Sequence, residues 1–354
     1  MELKNKGKIK QSVLKRSIIK QIGYSDITAV ETAVGCDNLK IAFIKAYNKS
    51  LIQGFLVADV KENHIIKPKY VSMGMVVPLL YDEENLREII KEFSCLSDKY
   101  SLLITGGHTE VSEYVSKPVI TISIFGDFDK EFNYDMSALN DTELESDNSR
   151  LISKSDCLEI KDKSNSCKDK TKYIIQTGYI GICGTYKLYE TESEQIKEKL
   201  PQSITNKLDK YFDYISIEDV ADALYEATKQ NPDRDVIYFA DSLGTGGIYE
   251  GLYDLTESLS MSGYTGFDVD IKKIQIMQET VEVCNILDVN PYMMESSGAA
   301  LVVTDNPDYF ITVLEEMGTV GSIIGTLNHS NDKIVRIDDE IKYIEPFKED
   351  ILKK

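Results

Sequence analysis

The chain has 354 residues, 42% hydrophobic and 28% charged, which are the proportions of a soluble globular protein, and its length suits two domains of ordinary size. A formal net charge of -19 argues against a nucleic-acid binder, because neutralising a phosphate backbone needs a basic face. No apolar run approaches the roughly 20 residues of a membrane helix. The six cysteines are scattered without a CxxC pair, which indicates neither a zinc knuckle nor a disulfide framework but reduced thiols in a cytoplasm.

Residues 1 to 22 open with a lysine-rich arm and then place Val13, Leu14, Ile18, Ile19 and Ile22 at helical spacing, so a mobile arm and a short amphipathic helix are expected. The arm reads as a solvated tail, with closure over an anionic ligand as the alternative. Alternation of Leu39, Ile41 and Phe43 predicts a strand over 39–45, and a second strand is expected over 70–77. From Glu83 to Tyr100 the apolar residues Leu86, Ile89, Ile90, Phe93 and Leu96 repeat on one helical face.

The run Leu102 to Val111 is apolar until it meets Gly106-Gly107-His108-Thr109-Glu110. That pattern predicts a buried strand delivering polar groups to a tight glycine loop, whose backbone N–H groups suit phosphate while Thr109 and Glu110 add a hydroxyl and a carboxylate for magnesium. A plain turn between two strands is the other reading. His108 is either a phosphate contact and proton carrier or a loop histidine capping a carbonyl. A strand is expected from Val119 to Phe125. From 128 to 171 the chain turns to Asp, Glu, Ser, Asn and Lys, too poor in apolar anchors to offset ordering, and reads as a polar, partly disordered insertion or linker, with a short hairpin or a cover over the neighbouring domain left open. The expected organisation is one domain over 1–127, the insertion over 128–171 and a second domain over 172–354.

Order returns with a strand at Tyr173 to Thr177 and a glycine-spaced turn from Gly178 to Gly184, in which Cys183 reads as a packed thiol rather than a nucleophile. A helix is expected over 217–227 and a strand over 236–240. Asp241-Ser242-Leu243-Gly244-Thr245-Gly246-Gly247-Ile248 follows at once, and Ile248, Leu252, Leu255 and Leu259 then repeat as a helix. A strand, a glycine turn and a helix N-terminus make an anion site, because unpaired N–H groups and the helix dipole both point into the turn. Asp241 then either holds Mg²⁺ beside that anion or stabilises its own turn. Strands over 265–271, 299–304, 321–325 and 333–337, helices over 279–287 and 307–317, and a polar tail from Glu345 complete the pattern. Strands and helices are mixed in both halves, which is an α/β class of α+β type with mixed sheets.

Gly106 to Val111, the turn Asp241 to Ile248, and the run Gly266-Phe267-Asp268-Val269-Asp270 through Glu279-Thr280, Asn290-Pro291 and Ser296-Ser297-Gly298-Ala299 together resemble the PurM-like superfamily. That group includes aminoimidazole ribonucleotide synthase, the hydrogenase-maturation protein HypE, thiamine-monophosphate kinase and selenophosphate synthetase, and the nearest resemblance is to the HypE-like, AIR synthase-related branch. It covers roughly residues 7 to 126 and 172 to 337. The resemblance implies a two-domain PurM-like fold, a homodimer whose N-terminal sheets join in a β-barrel, and ATP with Mg²⁺ between the domains near the dimer interface. It also implies activation of an oxygen by phosphorylation, or phosphoryl transfer, to a small acceptor that the sequence does not name.

On that resemblance Asp37, Asp59, Glu110 and Asp241 are the expected metal ligands. Gly106, Gly107, Thr109, Gly244, Gly246 and Gly247 hold phosphates, and Asp241 and His108 are the catalytic candidates. The chain departs from the family pattern in several places. Val34-Gly35-Cys36-Asp37-Asn38-Leu39 keeps one carboxylate of an acidic pair, Lys45-Ala46-Tyr47-Asn48 stands where a Thr-Asp-Pro motif is expected, and Asp59-Val60 stands for an Asn-Asp pair. The chain ends in Lys353-Lys354 with no terminal cysteine, so the HypE reaction itself is not expected. An ATP-dependent enzyme is the leading expectation, and a degenerate dimer that binds a nucleotide, metabolite or protein without turnover is the alternative.

Overall fold

The structure is a computed structural model that describes residues 27–34, 39–58, 66–126, 170–231, 236–338 and 340–344. The expected N-terminal helix, Asp37, Asp59, His64, nearly all of the insertion over 128–171 and the tail from Glu345 lie outside the described residues.

The first half builds a four-stranded sheet from β1 (Ile27–Val34), β2 (Tyr70–Pro78), β3 (Leu103–Ser112) and β4 (Val119–Gly126), in the order β1-β4-β2-β3. β3 runs parallel to β2, whereas β4 is antiparallel to both β1 and β2. Val71, Met73, Met75 and Val77 of β2 alternate into the core, as do Ile120, Ile122 and Ile124 of β4, the period of two expected where only one face is covered. Helix α1 (Leu39–Val57) supplies the cover, lying on β1 and β4, and α2 (Glu83–Lys99) packs beside it.

Helix α1 replaces the strand expected over 39–45. Leu39, Ile41 and Phe43 alternate, yet Leu39, Ala42, Phe43, Ala46, Tyr47, Ser50 and Leu51 also repeat at spacings of three and four. The helix is buried nearly all round because it also touches elements of the second half, so no solvated face exposes its period. Strand β1 had no counterpart in the sequence-based expectation.

The glycine loop expected at 106–107 is a strand. Gly106 to Glu110 lie inside β3 and pair in order with Ser72 to Val76 of β2. The register slips by one residue before them, leaving Thr105 as the extra residue of a bulge, with its Oγ1 donating to the Val71 carbonyl at 3.3 Å. Gly107 is glycine because a Cβ there would meet the Met73 carbonyl oxygen at 2.5 Å.

The second half is a seven-stranded mixed sheet in the order β11-β10-β7-β9-β5-β8-β6. Its strands are β5 (Tyr173–Thr177), β6 (Ile237–Ser242), β7 (Gly266–Asp270), β8 (Ala300–Thr304), β9 (Gly321–Asn328), β10 (Lys333–Ile337) and β11 (Glu340–Tyr343). Its helices are α3 (Ile182–Thr191), α4 (Ser193–Lys199), α5 (Gln202–Leu208), α6 (Glu218–Lys229), α7 (Gly247–Leu259), α8 (Gln278–Leu287) and α9 (Pro307–Glu316). β8 is buried along its whole length, so it reads as a continuous apolar run: Ala300 and Val302 face one core, Leu301 and Val303 the other. The second of these cores lies under α7. The first continues without a break through α6 and α1 to the four-stranded sheet.

Polar ties reinforce that shared core. The buried Asn48 side chain donates to the Ile215 carbonyl at 2.7 Å and accepts from the Ile217 N–H at 3.2 Å, fixing α1 to the lead-in of α6. Tyr225 Oη donates to the Ile66 carbonyl at 3.0 Å, and the Tyr47 hydroxyl donates to Glu218. Among the described residues no helix is long and apolar enough to cross a membrane.

Candidate nucleotide site

The chain leaves β6 through Asp241 and Ser242, turns over Leu243 to Gly246 and enters α7 at Gly247. Gly246 (φ +87°) and Gly247 (φ +64°) both lie in the left-handed region that glycine adopts freely. At Gly247 space decides as well: a Cβ would stand 2.5 Å from the Tyr292 carbonyl oxygen and 2.7 Å from that of Met294. No side chain caps α7; the Gly247 N–H turns back to the Gly244 carbonyl at 3.1 Å, and the next N–H groups of the first turn are the ones such a helix start offers to water or a ligand.

The turn is braced from behind by the segment 294–299. The Ser296 N–H donates to the Gly244 carbonyl at 3.2 Å, and the Leu243 N–H to the Ala299 carbonyl at 2.8 Å. The same segment holds the Gly181 turn, where Ser296 Oγ accepts from the Gly181 N–H at 2.9 Å. Thus the sequence motif Ser296-Ser297-Gly298 serves as scaffold for two glycine turns.

Beside Thr245 lies a buried charge network. Lys45 of α1 donates to Glu295 Oε2 at 3.0 Å and to Thr245 Oγ1 at 3.3 Å, and its Nζ is 3.7 Å from Glu31 Oε2 of β1. Thr245 Oγ1 in turn donates to Glu295 Oε2 at 2.8 Å, Ser297 Oγ donates to Glu295 Oε1 at 3.1 Å, and Lys49 pairs with Glu31. Burial alone would raise the Glu295 pKa, but the Lys45 charge and the three hydrogen bonds outweigh it and hold the carboxyl below its ordinary value. Burial alone would lower Lys45, and the Glu295 and Glu31 charges reverse that, so it stays protonated. Cys183 nearby is buried and its pKa is pushed up by burial first and Glu295 second, which makes it an inert thiol.

Four of these residues, Lys45, Glu31, Glu295 and Lys49, were not singled out as site residues from the sequence. One cue existed: Lys45 and Lys49 sit four apart in a mostly apolar stretch, and a lysine is almost never buried without a partner.

Asp241, Gly244, Gly246 and Gly247 stand together at the turn, with Asp241 opposite Leu301 in the sheet and half-buried. Gly106, Gly107, His108, Thr109 and Glu110 lie instead on β3, the outermost strand of the other sheet, exposed on both faces. Asp37 and Asp59 lie outside the described residues. The carboxylates flanking Thr245 already bind lysines, and among the described residues no three His, Cys, Asp or Glu side chains converge as a metal group would require. Of the expected metal ligands, the two described ones, Glu110 and Asp241, lie on different sheets. His329 stacks on Tyr264 with ring centroids 4.6 Å apart.

No protein-family model matches the chain. It is 25% identical over 175 residues to the phosphoribosylformylglycinamidine synthase subunit PurL of Saccharolobus islandicus, a match covering 48% of this chain and only 20% of that relative. Among solved structures it resembles E. coli HypE with a TM-score of 0.60, 11% identity and coverage of 95% of this chain and 91% of that one. Hydrogenase maturation protein HypE in complex with ATP gives a TM-score of 0.59 at 12% identity, covering 98% and 97%. AaThiL complexed with AMPPCP and TMP gives 0.56 at 11% identity, covering 96% and 98%. Two mixed sheets joined through α1, matched to these structures over nearly the whole of both chains, give the chain the PurM-like fold seen in HypE and ThiL.

Proposed function

We propose that the protein binds ATP with its phosphates against the Gly244 to Gly247 turn. The observation that carries this reading is the N-terminus of α7 with no side-chain cap, reached through two left-handed glycines, of which Gly247 leaves no room for a side chain. The HypE structure with ATP and the ThiL structure with AMPPCP support it, as solved structures of the same fold. Asp241, ending β6 beside the turn, is placed to orient an attacking oxygen of a small acceptor, which makes phosphoryl transfer or oxygen activation the chemistry this site suits. Mg²⁺ enters as the ion that ATP carries, with Asp37 and Asp59 as further donors the sequence offers.

His108, Thr109 and Glu110 join this reading through a homodimer. β3 exposes Leu103, Ile104 and Val111 along an outermost strand, the kind of edge that a second copy covers. The free thiols Cys95, Cys183 and Cys284 accord with a reducing cytoplasm.

A second reading, nucleotide binding without turnover, is favoured by one observation: β3, which carries His108 and Glu110, belongs to a different sheet from the turn. Calorimetric titration of Mg²⁺-ATP into the wild type and an Asp241→Ala variant tests the proposal. Saturable binding near micromolar, about 8 kcal/mol, is expected. Absence of binding at millimolar ATP would defeat both readings. Phosphate release that vanishes in the variant separates the enzyme from the binder.

A further inference from the structure

The seven-stranded sheet ends in two different edges. β6 lies against α1, whereas β11 has a strand on one side only and is exposed at all four of its residues, Glu340 to Tyr343. The ladder fixes which of its backbone groups are free. β11 pairs antiparallel with β10 in a register that sets Glu340 opposite Ile337 and Tyr343 opposite Ile334, and one step further the Ile344 N–H donates to the Lys333 carbonyl at 3.0 Å. Hydrogen-bonded pairs alternate with non-bonded ones along an antiparallel ladder, so Glu340 and Lys342 turn their backbone groups to β10 as Ile344 does, and Ile341 and Tyr343 turn theirs outward. Side chains alternate too. Ile341 and Tyr343, 49% and 67% exposed, share one face, and Glu340 and Lys342 share the other.

An open strand of this kind invites another strand, and proteins commonly blunt it with like charges, a proline or a bulge. β11 has none of these. It carries one charge of each sign, two residues apart. Arg336 and Asp338 of the same hairpin are matched inside the chain by Asp268 and Lys272, whereas the side chains of Glu340 and Lys342 have no ion pair among the described residues.

The pattern is self-complementary. When a second copy of β11 pairs antiparallel about a two-fold axis at Ile341, the two Ile341 residues exchange both backbone bonds and each Glu340 stands opposite a Lys342. Those are the non-bonded pairs, whose side chains approach most closely. An axis at Lys342 would also engage the outward groups but would set two lysines face to face, and an axis at Tyr343 would pair Lys342 with Ile344. A foreign segment rich in one charge would meet a like charge at Glu340 or at Lys342, so the alternation favours a copy of itself.

We propose that β11 is a self-recognition edge, through which two copies of this chain pair in the Ile341 register and continue the seven-stranded sheet across a two-fold axis. The contact is isologous, and it stands independently of the nucleotide reading and of β3. Four residues a side bury far less than the roughly 1,200–2,000 Å² of a stable interface, so the pairing is weak, with a dissociation constant of about 0.1–1 mM.

Sedimentation equilibrium on the full-length chain carrying Ile104→Lys and Val111→Glu, which charge β3 and leave β11 untouched, reads the average mass from about 1 µM to about 1 mM. The mass is expected to rise from one chain toward two at the top of that range. Glu340→Lys or Lys342→Glu, added singly, sets like charges opposite one another and is expected to weaken the pairing about tenfold or more. An equimolar mixture of the two single variants restores opposite charges at both places, as does the double exchange Glu340→Lys, Lys342→Glu within one chain, and both are expected to recover the rise. A mass that stays at one chain up to about 1 mM would overturn the proposal. Single variants that associate like their parent would overturn it too, and so would a mixture and a double exchange that both stay apart, because each result removes the charge register. The parent series needs no change in β11, so the test survives a β11 variant that does not fold; without the β3 changes, the same comparison is read as a rise above the unmodified chain's low-concentration mass.

Discussion

Two glycine-rich stretches with similar sequence character end in different structures. Thr105-Gly106-Gly107-His108 and Gly244-Thr245-Gly246-Gly247 both follow apolar runs, yet the first continues as strand β3 and the second turns the chain into α7. What differs is the neighbour. Gly107 lies flat beside the Met73 carbonyl in a parallel pairing, whereas Gly247 adopts a left-handed φ with the carbonyls of 292 and 294 where a Cβ would stand. A glycine pair therefore reports close backbone approach in both places, and only the partner says whether an N–H cluster opens toward a ligand.

The largest effect is expected where the turn meets its buried charges. Lys45→Met alone strands the Glu295 carboxylate in a site that keeps 8% of its side chain exposed, and a broken buried pair costs about 3–5 kcal/mol. Urea unfolding should show that loss, and the added Glu295→Gln change should recover most of it. A single variant within about 1 kcal/mol of wild type would show that the network contributes nothing to joining the two halves.

A direct contrast of the glycines comes next. Gly247→Ala forces a Cβ into two carbonyl oxygens at an unfavourable φ and is expected to cost about 2–4 kcal/mol and to abolish ATP binding. Gly107→Ala, on the outermost strand, meets one carbonyl of the neighbouring strand and can shift outward, so about 1–2 kcal/mol is expected, with the turn unchanged. Equal losses of affinity in both variants would contradict the assignment of phosphate binding to the α7 turn.

Much of the second half was legible from sequence. Ile248, Leu252, Leu255 and Leu259 of α7 keep one face buried and the other wet, so the helical period survives in the sequence. β10 was expected and found over the same residues, 333–337. The buried α1 hid its period, and β3 looked like a loop because nothing local distinguishes a flat glycine pair from a turning one. The Lys45 to Glu295 contact joins residues 250 apart, a separation that no spacing rule spans. Its only trace was Lys45 and Lys49, four apart in a mostly apolar stretch.

Acidity should sharpen the same contrast at moderate cost. Glu295 is held below its ordinary value of 4.5, and so is Glu279, where burial is outweighed first by the hydrogen bond from Lys207. A depressed carboxyl contributes stability that is complete above its unfolded value and lost as pH falls through its folded value, each tenfold difference in proton affinity being worth about 1.4 kcal/mol. Lys45 has the opposite sign: raised above 10.5, its contribution is complete below that value and lost only in stronger alkali. Urea midpoints should therefore hold between about pH 5 and 10 for these groups and fall below about 4.5. The Lys45→Met, Glu295→Gln protein should lose part of that acid slope. An unchanged slope would place acid sensitivity elsewhere in the chain.

The smallest effect on stability, and the clearest on assembly, is expected at β3. Ile104→Lys and Val111→Glu replace exposed apolar side chains, 49% and 57% accessible, so each should change the unfolding free energy of one subunit by less than about 0.5 kcal/mol. If β3 is the covered edge of a homodimer, the wild type should scatter light as twice the 40.0 kDa chain and the double variant as a single chain. A wild-type monomer would remove the barrel interface. Titrating ATP into the monomeric variant then decides what β3 supplies. Full affinity means the α7 turn is a complete phosphate site. Lost affinity in a folded monomer means that His108, Thr109 and Glu110 are delivered to it across the subunit boundary, where one exposed strand and one uncapped helix would each be half of a site.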